Sequence, residues 1–302
     1  MSLDRLQGID PGRIGVFAGP LNGRPSAVQR EFVVQMERLG YGTLWYGEAL
    51  AQEAFSRGSI YLAATERLVV ASGIANIWAR DAAAMANGGR TMNEAWPGRF
   101  ILGLGVSHAP LVKMRGHDYE RPLTAMREYL DAMAMAPWRG PAAELPPLVL
   151  AALGPKMVGL AGERTAGAYP YFSTAAHIGE VRTILGPEPF LAADLPVVLA
   201  GDMAAARAIG DRHIDYYIGS TNYRNNLLRI GWSEADLARP GSDAIFDAIV
   251  AWGDLDRIAA KIAERFALGA DQVVLNIVAA DPDAVPLAEL RSLAALIPRF
   301  SR

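Results

Sequence analysis

Two side chains stand where a buried run ends and could move a proton. Glu48 closes the apolar run 43–48 behind two aromatic residues, and His108 follows the run 100–106. A carboxyl group exchanges protons near neutral pH when burial raises its pKa, and a histidine does so at its ordinary pKa. Either residue is therefore a candidate for acid–base catalysis. The alternatives are an ion pair between Glu48 and a nearby arginine such as Arg80, and a merely solvated His108.

A second group of residues is suited to an anion. Gly154, Pro155 and Lys156 open a predicted helix, with proline at the first helical position and a positive charge beside it. The next predicted helix begins at Thr174, Ala175 and Ala176, where the threonine can cap the free N–H groups. Two neighbouring helix N-termini predict a phosphate site. Proline and threonine also begin many helices that bind nothing.

Gly103 and Gly105 resemble the start of a dinucleotide fingerprint, but position 108 is histidine and Pro110 follows it. No helix N-terminus would then face a pyrophosphate, and the chain has no P-loop motif. The glycines fit a bare strand end that a flat ring can approach, or equally a bulge in the sheet. Other candidate contacts to a ligand are His117 and Tyr119 in a long loop and Asn222, Tyr223, Arg224 and Asn225 further on.

Composition limits the possible partners. The 302 residues carry a formal charge of −3, so neither nucleic acid nor an anionic membrane is expected as a main partner. There is no cysteine, and the four histidines are not spaced for a metal site, so no metal is expected. We find no signal peptide and no apolar run long enough for a membrane span, and we expect a cytoplasmic protein.

The elements that position these residues alternate between strands and helices. Each short apolar run is followed by a segment with helical spacing, which is typical of βα units. Helices are predicted near 26–39, 55–64, 81–95, 122–136, 254–266 and 286–297, and two more begin near 154 and 176. The eight predicted strands are Arg13 to Gly19, Thr43 to Glu48, Leu68 to Asn76, Phe100 to Val106, Pro147 to Leu153, Gly167 to Ser173, Pro196 to Ala200 and Gln272 to Val278.

Eight consecutive units favour a closed barrel over an open doubly wound sheet. We therefore predict a single α/β domain over 1–302, a (β/α)8 TIM barrel. The gap between the seventh and eighth strands is much longer than the others, which predicts a helical insertion at about 202–252. An insertion after a strand lies at the C-terminal rim, where barrel active sites lie.

Several stretches in this order resemble the luciferase-like flavin and deazaflavin oxidoreductases, in particular their actinobacterial coenzyme F420-dependent branch. The resemblance spans about residues 15–300, and the strand-three and strand-five stretches are the most specific. The stretches are TLWYGEAL, ASGIANIWARDAAAMA, GRFILGLGVSH, LVLAALGPKMVGLAGERTAGAYPYFST, NYRNNLLR and AIVAWGD.

The resemblance implies a deazaflavin ring held across the C-terminal mouth of the barrel. It implies a non-proline cis peptide at Gly73-Ile74 supporting the ring, with Asn76 at the ring edge. It also implies that Gly103, Gly105 and Ser107 line the ring, that 154–156 and 174–176 hold the phosphate, and that the protein is a homodimer. The chain departs from the better-known deazaflavin dehydrogenases, since Gly47-Glu48 replaces an Asp-His pair and Val106 replaces a glutamate.

The main hypothesis is an oxidoreductase that transfers a hydride between coenzyme F420 and a small, fairly apolar organic substrate. The alternative cofactor is FMN, in a monooxygenase that uses flavin reduced elsewhere. A barrel that binds a deazaflavin or metabolite without turnover is the third hypothesis, because the Asp-His pair is missing.

Overall fold

The computed structural model describes residues 5–301, and its centre is a closed ring of eight parallel strands surrounded by helices. The predicted TIM barrel with a helical insertion between its seventh and eighth ring strands is confirmed. Within the described residues the strands are β1 (Ile14–Phe17), β2 (Thr43–Gly47), β3 (Val69–Asn76), β4 (Phe100–Gly105), β5 (Leu148–Leu150), β6 (Gly167–Ala168), β7 (Phe190–Leu199), β8 (Ala251–Gly253) and β9 (Gln272–Ile277).

The ring closes where β9 pairs in parallel with β1. Ile14 stands opposite Val273 and Val16 opposite Leu275, while β1 pairs with β2 on its other edge. At the far side β6 pairs with β7, and β7 pairs with β9. Closure leaves no free edge in the ring, and it brings the C-terminal ends of all eight strands to one mouth.

β7 is longer than predicted and pairs with three strands. It begins at Phe190, not at Pro196, because the buried run 190–195 continues the ladder to β6 and β9. Its last residues, Val197 to Leu199, pair with the short β8, which the sequence analysis did not predict. A three-residue strand within the predicted insertion gives too short a pattern to separate from a loop.

The helices follow their predicted positions closely, and side-chain caps explain several starts. Glu53, Asp81, Thr174, Asp202, Ser242 and Asp254 each accept a hydrogen bond from a backbone N–H of the first turn. One helix, α4, lies in a segment predicted as a loop. The helices are α1 (Ser26–Arg38), α2 (Ala54–Ala64), α3 (Ala82–Ala95), α4 (Ala109–Met114), α5 (Pro122–Ala134), α6 (Pro155–Arg164), α7 (Ala175–Leu185), α8 (Met203–Ile218), α9 (Thr221–Arg229), α10 (Asp243–Ile249), α11 (Leu255–Ala267), α12 (Leu287–Leu293) and α13 (Ile297–Phe300).

The insertion consists of α8, α9 and α10 and has an apolar cluster of its own. Ile214, Leu227 and Phe246 are fully or almost fully buried there and pack with Phe172 and Val198 from the barrel. Burying these side chains against β7 and the end of β6 fixes the insertion over part of the mouth. Within residues 5–301 no helix has the combined length and apolar character that spanning a bilayer requires.

Candidate active site

A cavity of about 370 Å3 lies at the mouth of the barrel, between the ends of β3 to β6 and the helix α9. Its size and position suit a small organic ligand or part of a cofactor. The wall is mostly apolar, with polar groups from the loops after β4 and β5 and from α9. The lining residues are Ile74, Val106, Ser107, His108, Tyr119, Pro122, Ala151, Ala152, Leu153, Gly154, Met157, Tyr169, Tyr171, Asn222, Tyr223, Asn225, Asn226 and Arg229.

A bulge in β3 forms one wall of this first cavity. The register with β4 shifts between Ser72 and Ala75, so that Ile74 lines the cavity. A Cβ atom on Gly73 would lie 2.9 Å from Tyr169 Cε1, which explains the glycine. The expected cis peptide at Gly73-Ile74 is wrong, since the cis bond found in residues 5–301 precedes Pro240. A trans bulge places Ile74 at the wall without the cost of about 3–4 kcal/mol that a non-proline cis bond carries.

Gly103 and Gly105 do not line the cavity. A Cβ atom on Gly103 would lie 1.7 Å from the Ser72 carbonyl oxygen, so this glycine lets β4 approach the β3 bulge. A Cβ atom on Gly105 would lie 3.1 Å from Ile74. The geometry therefore supports the bulge interpretation of these glycines. Ser107 does line the cavity, and its φ of 60° places it in the left-handed region that non-glycine residues seldom occupy.

Asn76 is the last residue of β3, and one polar group of its fully buried side chain lacks a hydrogen-bond partner among the described residues. Its Oδ1 accepts a hydrogen bond from the Trp78 N–H at 3.0 Å, while its Nδ2 has no partner among residues 5–301. Buried amide donors nearly always find an acceptor, so a lone donor beside the bulge fits a ligand that supplies one. Asn76 does not line the first cavity, so its expected place at the edge of a bound ring stays a prediction.

The carboxylate of Glu48 is held by four donors. The Asn76 and Ala54 N–H groups donate to it at 2.8 and 3.2 Å, and Arg80 donates through both of its terminal nitrogens. Burial alone would lower the pKa of Arg80, but its bonds and charge pairing with Glu48 and Glu53 raise it. Glu48 does not line the cavity. The geometry thus supports the structural ion pair, the alternative that the sequence analysis gave.

His108 lines the first cavity and is placed to act on a ligand. The amide nitrogen of Asn222 donates to its Nδ1 at 3.1 Å, which puts the ring proton on Nε2. Its ring lies 5.5 Å from that of Tyr223. Burial lowers the pKa of His108, so the imidazole is neutral at pH 7. A neutral imidazole with a proton on Nε2 is a hydrogen-bond donor to a ligand oxygen.

The two predicted helix N-termini are linked at the mouth by His177. Thr174 Oγ1 accepts from the His177 N–H at 3.2 Å, and the imidazole bonds the Leu153 carbonyl oxygen and the Ser173 hydroxyl at 2.9 and 3.0 Å. Of the six residues predicted to hold a phosphate, only Gly154 lines the cavity. Pro155, Lys156 and Ala176 are exposed, whereas Thr174 and Ala175 are buried.

One face of α9 supplies most of the polar groups of the cavity. Asn222, Asn225, Asn226 and Arg229 all line it, at helical spacing i, i+3, i+4 and i+7. Sequence analysis singled out the first two and missed the others, although this spacing was visible. Arg224 points elsewhere, because it bonds the Leu237 carbonyl oxygen and pairs with Glu234 inside the insertion.

Arg229 gives the cavity its cationic group near the α6 and α7 N-termini. Its guanidinium pairs with both carboxylate oxygens of Glu180 at 2.6 and 2.9 Å and donates to Asn226 Oδ1 at 3.0 Å. The side chain is 34% exposed, so it can also reach a ligand. Helix N-termini, amide side chains and an arginine are together the donors that bind phosphate in proteins.

Comparisons with known proteins show the family of this chain. The model of the luciferase-like monooxygenase family matches residues 13–272. A Mycobacterium tuberculosis protein, provisionally named a coenzyme F420-dependent oxidoreductase, is 26% identical over 94% of this chain and 99% of its own length.

Several solved structures share this fold. An F420-dependent secondary alcohol dehydrogenase in complex with an F420–acetone adduct superposes with a TM-score of 0.75 at 15% identity, covering 97% of this chain and 100% of that one. The oxygenating constituent of 3,6-diketocamphane monooxygenase from Pseudomonas putida, in complex with FMN, has a TM-score of 0.71 at 16% identity. That match covers 97% of this chain and 98% of the other.

Proposed function

The chain belongs to the luciferase-like monooxygenase family, and we propose that it is an oxidoreductase that uses coenzyme F420 to reduce or oxidise a small organic substrate. The full-length similarity to a protein provisionally named F420-dependent supports the cofactor. The observation that carries the proposal is the first cavity, in which the β3 bulge meets the amide and guanidinium donors of α9 at the barrel mouth.

The residues of the first cavity fit a deazaflavin. When bound, such a cofactor supplies a hydride acceptor or donor, which is chemistry that side chains lack. Ile74 on the bulge would support one face of the ring, and Asn76 Nδ2 would donate to its edge. Gly154 and Arg229, which line this cavity, would hold the phosphate at the N-termini of α6 and α7, the site predicted for residues 154–156 and 174–176.

His108 is the residue that we assign to a hydrogen bond or proton at a ligand bound in the first cavity. It lines the cavity and is neutral at pH 7, with its Nε2–H available. Glu48 was the other candidate, but its carboxylate already accepts hydrogen bonds from four donors. A base whose oxygens are all engaged cannot accept a proton without breaking those bonds.

The second candidate function is an FMN monooxygenase, which the FMN complex among the similar folds supports. Titrations of the protein with F420 and with FMN, each followed by ligand fluorescence, separate the two. We expect F420 to bind at least tenfold more tightly. Tighter binding of FMN would reject the proposed cofactor.

Turnover is tested with reduced and oxidised F420 and a panel of alcohols, aldehydes, ketones and enones. The absorbance change of the deazaflavin reports the reaction. Oxidation or reduction by at least one member of the panel is expected. Tight F420 binding with no turnover on the whole panel would instead favour the hypothesis of a binding protein without activity.

A further inference from the structure

A second cavity, of about 350 Å3, opens at the same mouth on the side of β1 and β9. It is bounded by Phe17 and Gly19 after β1, by Asn276 and Val278 on and after β9, and by Tyr217 on α8. None of the groups assigned above to the cofactor lines it. Its wall combines apolar side chains with neutral hydrogen-bonding groups, and it contains one arginine, Arg212, and one carboxylate, Asp281. The second cavity therefore suits a neutral, polar organic molecule.

Tyr171 is the side chain that the two cavities share. It follows β6, and its hydroxyl group has two partners from different elements. Asn276 Nδ2 donates to it at 2.7 Å, and the hydroxyl oxygen of Tyr217 lies 2.9 Å away. A ligand in the first cavity and a ligand in the second would both contact this residue.

The hydroxyl group of Tyr171 has one partner that only donates and one that can donate or accept. An amide nitrogen can only donate, so the Tyr171 oxygen accepts from Asn276. Either hydroxyl can donate in the bond between Tyr171 and Tyr217. With Tyr217 as the donor, both lone pairs of the Tyr171 oxygen are used and its O–H is available to a carbonyl oxygen in the second cavity. Burial raises the pKa of Tyr171 and of Tyr217 well above the usual value, so both keep their protons at neutral pH. Two accepted bonds also stabilise a phenolate, should the proton leave.

The backbone around Tyr171 is held by a buried acid. Phe172, the next residue, has a φ of 54°, which is uncommon for a side chain of that size. Its N–H donates to Asp194 Oδ2 at 3.2 Å, and Asp194 Oδ1 accepts from the Tyr169 hydroxyl at 3.4 Å. Asp194 thus fixes the residues on both sides of Tyr171. Such strain persists only where the surroundings determine it, and it is concentrated at functional sites.

We infer that the second cavity binds a neutral carbonyl compound and that Tyr171 is a catalytic residue, the proton donor to its oxygen. This inference rests on the proposed function, because the two electrons come with a hydride from reduced deazaflavin. As the C–H bond forms at the carbonyl carbon, the electron pair of the C=O bond moves to oxygen, which takes the Tyr171 proton. The phenolate regains a proton from Tyr217, which regains one from water. In the reverse direction Tyr171 accepts the proton of an alcohol.

Tyr171→Phe tests the inference, with Tyr41→Phe as the matched control. Tyr41 also loses a buried hydroxyl, one bonded to the Leu290 carbonyl oxygen and lining neither cavity. Ligand-observed NMR measures binding of cyclohex-2-enone to the protein without cofactor. We expect Tyr171→Phe to weaken this binding about tenfold. We expect it to lower turnover with F420 by roughly 10²-fold or more, far more than it changes the fluorescence-measured affinity for F420, because the aromatic ring that lines the first cavity stays in place.

Tyr217→Phe keeps Tyr171 as the proton donor but removes the hydroxyl group that returns a proton to it. This variant should therefore lower kcat with little change in KM. Enone binding or turnover by Tyr171→Phe equal to that of the Tyr41→Phe control would overturn the inference and leave the proposed cofactor standing. Absence of enone binding to the parent protein, together with no turnover of any carbonyl compound, would also overturn it. Failure of F420 to bind, with enone binding that still depends on Tyr171, would reject the proposed function and retain the second cavity as a carbonyl site.

Discussion

At the scale of single residues, Glu48 distinguishes a structural carboxylate from a catalytic one. Its side chain is 4% exposed and its Arg80 partner 11% exposed, so the pair is nearly out of solvent. Replacing one member of a buried pair leaves the other charge poorly compensated. Glu48→Gln should therefore lower the free energy of unfolding by about 2–3 kcal/mol, measured by chemical denaturation.

The same variant tests the role in catalysis. If Glu48 were the proton donor, Glu48→Gln would lose turnover at unchanged stability. We expect the opposite pattern, with lower stability and turnover within a few-fold of the parent at a temperature where both proteins are folded.

Two arginines on α9 provide a matched pair for the phosphate site. Arg229 lines the first cavity, whereas Arg224 is bound within the insertion. Arg229→Gln should weaken F420 binding by roughly tenfold, equivalent to about 1.4 kcal/mol, because a charged donor to the phosphate is lost. Arg224→Gln should leave it unchanged. Equal effects of the two substitutions in a fluorescence titration would indicate a general charge effect and not a contact.

Sequence alone identified many of the residues around the site but not what each one does. The helix starts at Pro155 and Thr174 were correct, since local capping rules determine them. The pairing of Glu48 with Arg80 and the turning of Arg224 away from the cavity depend on contacts between distant segments. Tyr171 was missed because a tyrosine in an apolar run is normally a core residue.

At the scale of elements, the contact between β3 and β4 determines the shape of the first cavity. Gly103→Ala would put a Cβ atom 1.7 Å from the Ser72 carbonyl oxygen. Neither the β3 nor the β4 backbone can move to relieve this clash without a large energetic cost. This variant should lower the melting temperature markedly and abolish F420 binding. Gly105→Ala meets only the flexible Ile74 side chain at 3.1 Å and should change both far less. Thermal denaturation of the two variants decides between backbone packing and general intolerance of alanine in β4.

Element positions were predicted well where a strand or helix has a long periodic pattern. The errors fall on short or fully buried segments. α4 has six residues and β8 three, and the start of β7 is buried on both faces. A pattern of hydrophobic residues cannot place such a boundary, because pairing with neighbours decides it.

At the scale of the whole molecule, stability should depend on pH through Asp194. Burial raises its pKa to about 7, so the folded protein holds a proton that the unfolded chain has already lost. The stabilisation is complete below about pH 4 and is lost as the pH rises toward 7. Relative to Asp194→Asn, the parent protein should lose on the order of 2 kcal/mol of stability between pH 5 and 8.

His213 acts in the opposite sense, since burial lowers its pKa to about 4 and favours the folded state as the pH rises from 4 to 6.5. It is present in both proteins, so its effect cancels in the difference between them. A difference in melting temperature that stays constant with pH would contradict the assignment to Asp194.

Closure of the barrel was predicted only from the number of units, and the β1–β9 pairing confirms it. Sequence patterns describe neighbours along the chain, whereas this pairing joins residues more than 250 positions apart.

The homodimer stays a prediction, which light scattering can check.

The path of the chain around β7 has an evolutionary consequence. The main chain leaves the ring after Leu199 and returns at Ala251, which pairs with Val197 on the same strand, while the other edge of that strand pairs with β9. The insertion therefore begins and ends at neighbouring points on β7. Because the insertion lies outside the ring, a change in its length or sequence leaves the hydrogen bonds of the eight ring strands intact. Since α8 and α9 of the insertion line the two cavities, replacement of the insertion can change substrate preference on the same barrel.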